Sequence, residues 1–198
     1  MQRPTIMKNL VFVTHNVHKS EEVQAIIGNH FEIKNLSELN IFEDIPETGS
    51  TFKENALQKA EYVYRKLGCN CFADDSGLMV DALNGEPGVY SARYAGEPTN
   101  MQHNIEKLLN NLKGQKNRNA QFKTVIAVIL NGEKYFFEGE IQGKIIDTPQ
   151  GNGGFGYDPI FIPDGYDKTF AELPAEIKNK ISHRAIAMQK FTDFLNSK

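Results

Sequence analysis

Leu10-Val11-Phe12-Val13 is a short apolar run of β-branched and aromatic residues, and it predicts a buried strand. The run stops at Thr14-His15-Asn16. From Lys19 to Ile27 the apolar residues return at helical spacing, with Val23, Ile26 and Ile27 on one face. Strand, polar loop and helix in that order open an α/β fold. Thr51 with Glu54 three residues on forms a capping box. The helix it starts carries Phe52, Ala56, Leu57, Ala60, Val63, Tyr64 and Leu67 at helical spacing, and Gly68 is its C-cap. Cys71-Phe72-Ala73 reads as the next strand. Ile105, Leu108, Leu109 and Leu112 mark another amphipathic helix that closes near Gly114. Asn131-Gly132 between Thr124–Leu130 and Tyr135-Phe136-Phe137 is a hairpin signal. A last helix is expected from about Ser182 to Leu195, with Ala185, Met188, Phe191 and Leu195 inward. Parallel-type units together with a hairpin predict a mixed sheet flanked by helices.

Composition narrows the picture. A chain of 198 residues, 40% of them hydrophobic, fits one domain with a real core. Its 22 basic and 25 acidic residues leave a net charge of −3, which argues against non-specific nucleic-acid binding. The only cysteines, Cys69 and Cys71, form no disulfide framework or four-ligand zinc site. No run is apolar enough for a signal peptide or a membrane span. A cytoplasmic protein is therefore expected, with no membrane partner.

The chemistry gathers where elements start or stop. Asp74-Asp75-Ser76-Gly77 follows Cys71-Phe72-Ala73. Inside a strand, adjacent aspartates would send one charge to each face, one of them into an apolar layer. At the strand's end both can reach a cleft, where paired carboxylates suit magnesium and an activated water. The same residues also suit an Asp-rich turn capping the next element. Thr14-His15-Asn16-Val17-His18-Lys19 turns from strand to helix, and such a turn offers backbone N–H groups and a lysine to an anion. The His15/His18 pair lacks the partners a metal site needs. Glu47 is a loop carboxylate, and Lys59 lies on the helix that follows it.

Gly85 to Gly96 combines Gly, Pro, aromatics and Arg93, which suggests a shaped loop. In Gly154-Phe155-Gly156-Tyr157-Asp158-Pro159, glycines permit close backbone approach and an aromatic face can carry a base. Lys178 and Ser182-His183-Arg184 place cationic donors at a helix start beside it.

Taken in order, these motifs resemble the inosine triphosphate pyrophosphatase, or Ham1-like, family. The resemblance is carried by Thr14-x-Asn16-x-x-Lys19, Gly49-x-Thr51-Phe52-x-Glu54-Asn55-Ala56 and Ala73-Asp74-Asp75-Ser76-Gly77-Leu78-x-Val80-Asp81-Ala82-Leu83. It continues through Pro87 to Tyr94, Gly154 to Pro159 and Ser182-His183-Arg184. It covers nearly the whole chain from Leu10, with Met7 at the usual family start. Residues 1–6 are then an N-terminal extension and 7–198 a single domain. His15 and His18 stand where relatives often carry smaller residues.

The resemblance implies an elongated, two-lobed α/β domain with a central nucleotide cleft, usually paired as a homodimer. It implies Mg2+-dependent hydrolysis of ITP, dITP and XTP to the monophosphate and pyrophosphate. By the same resemblance Asp75 is general base and metal ligand, with Asp74 and Glu47 as further metal ligands. Thr14, His15, Asn16, Val17, His18, Lys19 and Lys59 hold the triphosphate. Ser76, Phe155, Gly156, Tyr157, Asp158, Lys178, His183 and Arg184 form the nucleoside site.

Two other readings fit the residues less well. A haloacid-dehalogenase-type phosphatase needs a nucleophilic Asp at the end of the first strand, where this chain has Thr14-His15-Asn16. A nucleotide-sensing binding module would not need Asp74, Asp75 and Glu47.

Overall fold

The computed structural model describes residues 10–27 and 31–197. Residues 1–6 and Met7 lie outside that set. The elements are β1 (Leu10–Phe12), α1 (Val17–Ile27), β2 (Ile33–Asn35), α2 (Phe52–Leu67), β3 (Cys71–Val80), α3 (Met101–Asn111), β4 (Asn119–Leu130), β5 (Glu133–Ile145), β6 (Phe161–Pro163), α4 (Ala175–Ile181) and α5 (His183–Asn196). The strands form one mixed sheet in the order β2-β1-β3-β4-β5-β6. β1 pairs in parallel with β2 and β3, and the remaining neighbours are antiparallel.

Local signals explain most boundaries. Thr51 accepts from the Glu54 N–H while the Glu54 carboxylate accepts from the Thr51 N–H, so α2 starts on a complete capping box. It ends at Gly68, whose φ of 64° is the left-handed cap that glycine adopts without Cβ strain. Asn131 and Gly132, at φ 51° and 87°, make the tight turn of the β4–β5 hairpin. Both strands run longer than their apolar cores suggest. Ser182 caps α5 by accepting from the Ala185 N–H.

One boundary differs from the expectation in an instructive way. β3 does not end at the two aspartates, and Ser76-Gly77 does not turn the chain. The strand runs ten residues, with Asp74 and Asp75 at its middle. All ten pair with β4 along one edge. On the other edge β1 stops opposite Phe72, and side chains replace the missing strand. Lys59 Nζ donates to the Asp74 carbonyl at 2.7 Å, and Ser91 Oγ accepts from the Leu78 N–H at 2.9 Å. The backbone groups stay satisfied, so the strand stays extended. Gly77 is required there, because a Cβ would sit 2.3 Å from the Gly88 carbonyl oxygen.

Alternation then places Phe72 and Asp74 on one face, and Cys71, Ala73 and Asp75 on the other. Phe72 joins a cluster under α1 and α5 with Phe12, Val23, Met188 and Phe191. Its ring stacks on Phe12 at 4.6 Å. Each such buried side chain contributes about 1.5–3 kcal/mol. Cys71 and Ala73 pack beneath α2 with Ala56, Ala60 and Val63. Burial pushes the Cys71 thiol up to about 12, in keeping with a packing role. A third cluster, with Leu78, Leu108, Phe122 and Phe161, fills the far end of the sheet against α3. Between the clusters lies a polar waist at Asp74, Asp75, Ser76 and Thr124, and this is the floor of a cleft.

Candidate active site

The cleft holds about 550 Å³ and opens over the waist. Its walls come from the β1–α1 turn, the loop before α2, the loop after β3, the Gly-rich segment before β6, and the α4–α5 junction. Of the residues singled out above, Thr14, His15, Asn16, His18, Lys19, Glu47, Lys59, Asp75, Ser76, Phe155, Gly156, Tyr157, Asp158, Lys178, His183 and Arg184 all line it. Two do not. The Val17 side chain is 64% exposed and belongs to a separate groove behind α1. Asp74 is buried beneath the floor.

The Asp74 face is an ionic lattice. Lys19 Nζ donates to Asp74 Oδ1 at 3.0 Å. Arg184 donates to Asp74 Oδ2 through Nε at 3.2 Å and Nη2 at 3.1 Å, and Nη2 also reaches Ser76 Oγ at 2.9 Å. Burial pushes the Asp74 carboxyl up, but Lys19 and Arg184 outweigh it and hold the group well below the carboxylate range. Glu22 bonds the other side of Arg184 and stands 2.6 Å from Lys178 Nζ. Lys178 in turn donates to Asp158 Oδ2 at 2.5 Å. Asp158 also accepts from the Phe155 N–H at 2.8 Å, which fixes the Gly-rich segment.

Phe155 is set among cations and rings. Its ring stacks on His18 at 5.3 Å, with Lys178 Nζ 4.7 Å and the Arg184 guanidinium carbon 5.8 Å from its centroid. Tyr157 is buried and donates to the Ser91 carbonyl at 2.8 Å, so it acts as a strut. His183 stacks on Phe122 at 4.9 Å. Burial, reinforced by Arg184 and Lys178, keeps its imidazole neutral far below the usual value. Its Nδ1 is the one buried side-chain polar atom without a hydrogen-bond partner among the described residues. Gly139 brings α5 this close, since a Cβ there would sit 2.1 Å from the His183 carbonyl oxygen.

The Asp75 face is built differently. Asn55 Nδ2 donates to Asp75 Oδ2 at 3.0 Å, while Asn55 Oδ1 accepts from the Gly49 N–H at 2.7 Å. Asn55 therefore ties Asp75 to the loop that carries Glu47. Lys59 Nζ donates to Glu47 Oε1 as well as to the Asp74 carbonyl. Burial raises the Asp75 carboxyl, and the neighbouring Glu47 adds to that, against the pull of Lys59 and Lys19. Burial lowers Lys59, but Glu47 and Asp74 overcome it and keep the ammonium charged.

Asp75 and Glu47 thus offer hard carboxylate oxygens at the cleft, a donor set that fits magnesium, which commonly takes one or two carboxylates and completes its shell with phosphates and water. Among the described residues, no three His, Cys, Asp or Glu side chains gather into a metal-holding group. Asp74 is not brought to the pair, because alternation turns its carboxylate to the other face.

Sequence reasoning did not assign Glu22 or Asn55. Glu22 carried a signal, since it lies three residues after Lys19 on the same stripe of α1. Asn55 sits on the buried face of α2, where an unpaired amide would be costly and a partner is required.

Known proteins share this architecture. The chain belongs to the Ham1 family, whose model matches residues 10–194. It is 55% identical to the dITP/XTP pyrophosphatase of Flavobacterium johnsoniae, over 95% of this chain and 98% of that one. The Bacillus subtilis dITP/XTP pyrophosphatase is 48% identical, over 97% and 99%. Among solved structures, the Staphylococcus aureus Ham1 protein superposes with a TM-score of 0.87 at 45% identity, over 96% of this chain and 99% of that one.

Proposed function

We propose that this chain hydrolyses the non-standard purine nucleoside triphosphates ITP, dITP and XTP to the monophosphate and pyrophosphate, using Mg2+. The relatives' names support the substrate class. The observation that carries the chemistry is the convergence on one cleft of a raised carboxylate, lysines and a cation-flanked aromatic platform.

Release of pyrophosphate requires attack at the α-phosphorus. Asp75 is the general base that orients the attacking water and takes its proton, and a carboxyl raised by burial is suited to that. Asp75 and Glu47 would hold magnesium, which supplies Lewis-acid stabilisation of the charge on the phosphates. Lys19 and Lys59 offset charge on the leaving group. The N-terminus of α1 offers its helix N–H groups to the phosphates, with the Thr14 and Asn16 side chains that cap the turn beside them. Asp74 is not a metal ligand in this reading but the counter-charge that fixes Lys19 and Arg184.

Phe155 carries the base. Lys178, His183 or Arg184 donates to its O6 edge. Inosine and xanthine present an acceptor there and adenine a donor, so adenine leaves fixed donors unpaired. Two copies of the chain form the working unit, as the family resemblance implies, and sedimentation tests that point.

The deciding experiment measures pyrophosphate release from ITP, dITP, XTP, GTP and ATP, with and without Mg2+. Fast magnesium-dependent release from the first three alone is expected. Orthophosphate release, or equal rates on all five, would overturn the assignment.

A further inference from the structure

Five lysines and arginines line the cleft, and four of them are committed to carboxylates through hydrogen bonds. Lys19 is bonded to Asp74, Lys59 to Glu47, Lys178 to Asp158, and Arg184 to Asp74 and Glu22. Arg93 is the exception. Its nearest carboxylate atom is Glu47 Oε2, with Nη1 3.9 Å away, beyond hydrogen-bond distance. Its guanidinium rests over the exposed Tyr90 ring at 5.4 Å, and its side chain is 29% exposed.

The backbone that presents it is held firmly. Ser91 Oγ donates to the Gly88 carbonyl at 2.6 Å and accepts from the Leu78 N–H on β3. The Asn104 side chain donates to the Ala92 carbonyl at 2.9 Å and accepts from the Ala95 N–H at 2.7 Å. Tyr157 Oη donates to the Ser91 carbonyl. A fixed backbone therefore carries a guanidinium with no hydrogen-bonded carboxylate to the Glu47–Lys59 end of the cleft.

From this placement we propose that Arg93 binds the leaving pyrophosphate. The inference rests on the reading of the cleft as a nucleoside triphosphate site. Glu47 is hydrogen-bonded to Lys59 and stands 3.9 Å from Arg93 without bonding it, so the Arg93 donors can turn to phosphate oxygens. A guanidinium presents paired N–H donors that match phosphate geometry, which Lys19 and Lys59 as point charges do not. Tyr90 is the shelf that keeps the planar group oriented.

The test is titration calorimetry of wild type, Arg93→Ala and Arg93→Lys with inorganic pyrophosphate plus Mg2+, and separately with dIMP. Arg93→Ala should weaken pyrophosphate binding about ten- to hundredfold, with dIMP unaffected. Arg93→Lys should recover part of the loss, because it restores charge without the planar fork. Unchanged pyrophosphate affinity in Arg93→Ala, or equal weakening of dIMP, overturns the assignment of Arg93. A wild-type protein that neither binds pyrophosphate nor releases it from dITP overturns the underlying reading of the cleft as well, so the two failures are told apart.

Discussion

Asp74 and Asp75 are neighbours in sequence, identical in chemistry and both buried, yet the two faces of β3 treat them in opposite ways. On the α1–α5 face, two cations meet Asp74 directly and hold it ionised. On the α2 face, Asp75 accepts hydrogen bonds from neutral donors, Asn55 Nδ2 and the Ser76 N–H, while burial and Glu47 lift its proton affinity. The first environment makes a fixed charge on which a lattice is built. The second leaves a carboxylate that can exchange a proton or take a cation. Residue type therefore does not decide which aspartate does chemistry. The charge opposite each one does.

The sharpest way to break this contrast is to neutralise each aspartate in turn. Asp75→Asn should lower kcat by about 10³-fold or more, since it removes the proposed base and metal ligand together. The ligand-free variant should be at least as stable as wild type. A carboxyl whose folded pKa is raised opposes folding once ionised, and the amide removes that opposition. Near-wild-type turnover by Asp75→Asn would take Asp75 out of the mechanism. Asp74→Asn should do the reverse in stability. It strips Lys19 and Arg184 of their shared counter-charge, and leaving buried cations unpaired costs about 3 kcal/mol or more. Denaturant unfolding measures it, and a midpoint equal to that of Asp75→Asn would mean that the two faces do not differ as described.

The lattice also marks where sequence reasoning stopped. The capping box at Thr51, the Gly68 cap and the Asn131-Gly132 turn were legible because each depends on residues within a few positions. The cleft-lining motifs were legible because family resemblance names them one by one. The course of β3 was not. Adjacent aspartates inside a strand are unfavourable only if unpaired, and their partners lie 55 and 110 residues away for Asp74 and 20 away for Asp75. Such distances are invisible to local pattern. Glu22 carried a helical-stripe signal beside Lys19, but its partners Lys178 and Arg184 reach it only once α4 and α5 are in place.

Smaller effects sharpen the contrast on the Asp74 side, where the proposed base platform lies. Phe155→Ala removes the ring beside His18, Lys178 and Arg184. Loss of stacking on a base is worth about 1–3 kcal/mol. Stacking acts alike on bound substrate and transition state, so KM for dITP should rise while kcat holds. A fall in kcat at constant KM would move Phe155 from recognition to chemistry.

The smallest effect concerns His183, whose imidazole is buried against Phe122 beside Arg184 and Lys178. Its folded pKa lies well below the ordinary value of 6.5, so the folded state stays neutral where the unfolded chain takes up a proton. As pH falls through about 6.5, protonation therefore favours unfolding, and stability drops by up to about 1.4 kcal/mol per pH unit. His183→Phe keeps a ring on Phe122 but cannot titrate, so its stability curve should be flatter by that slope between about pH 6.5 and 5. The difference between the two proteins isolates the imidazole from the carboxylates, which titrate in both. Parallel curves would mean that His183 is protonated in the folded state, and a cationic imidazole would then stand beside Arg184 without the neutral character assigned to it.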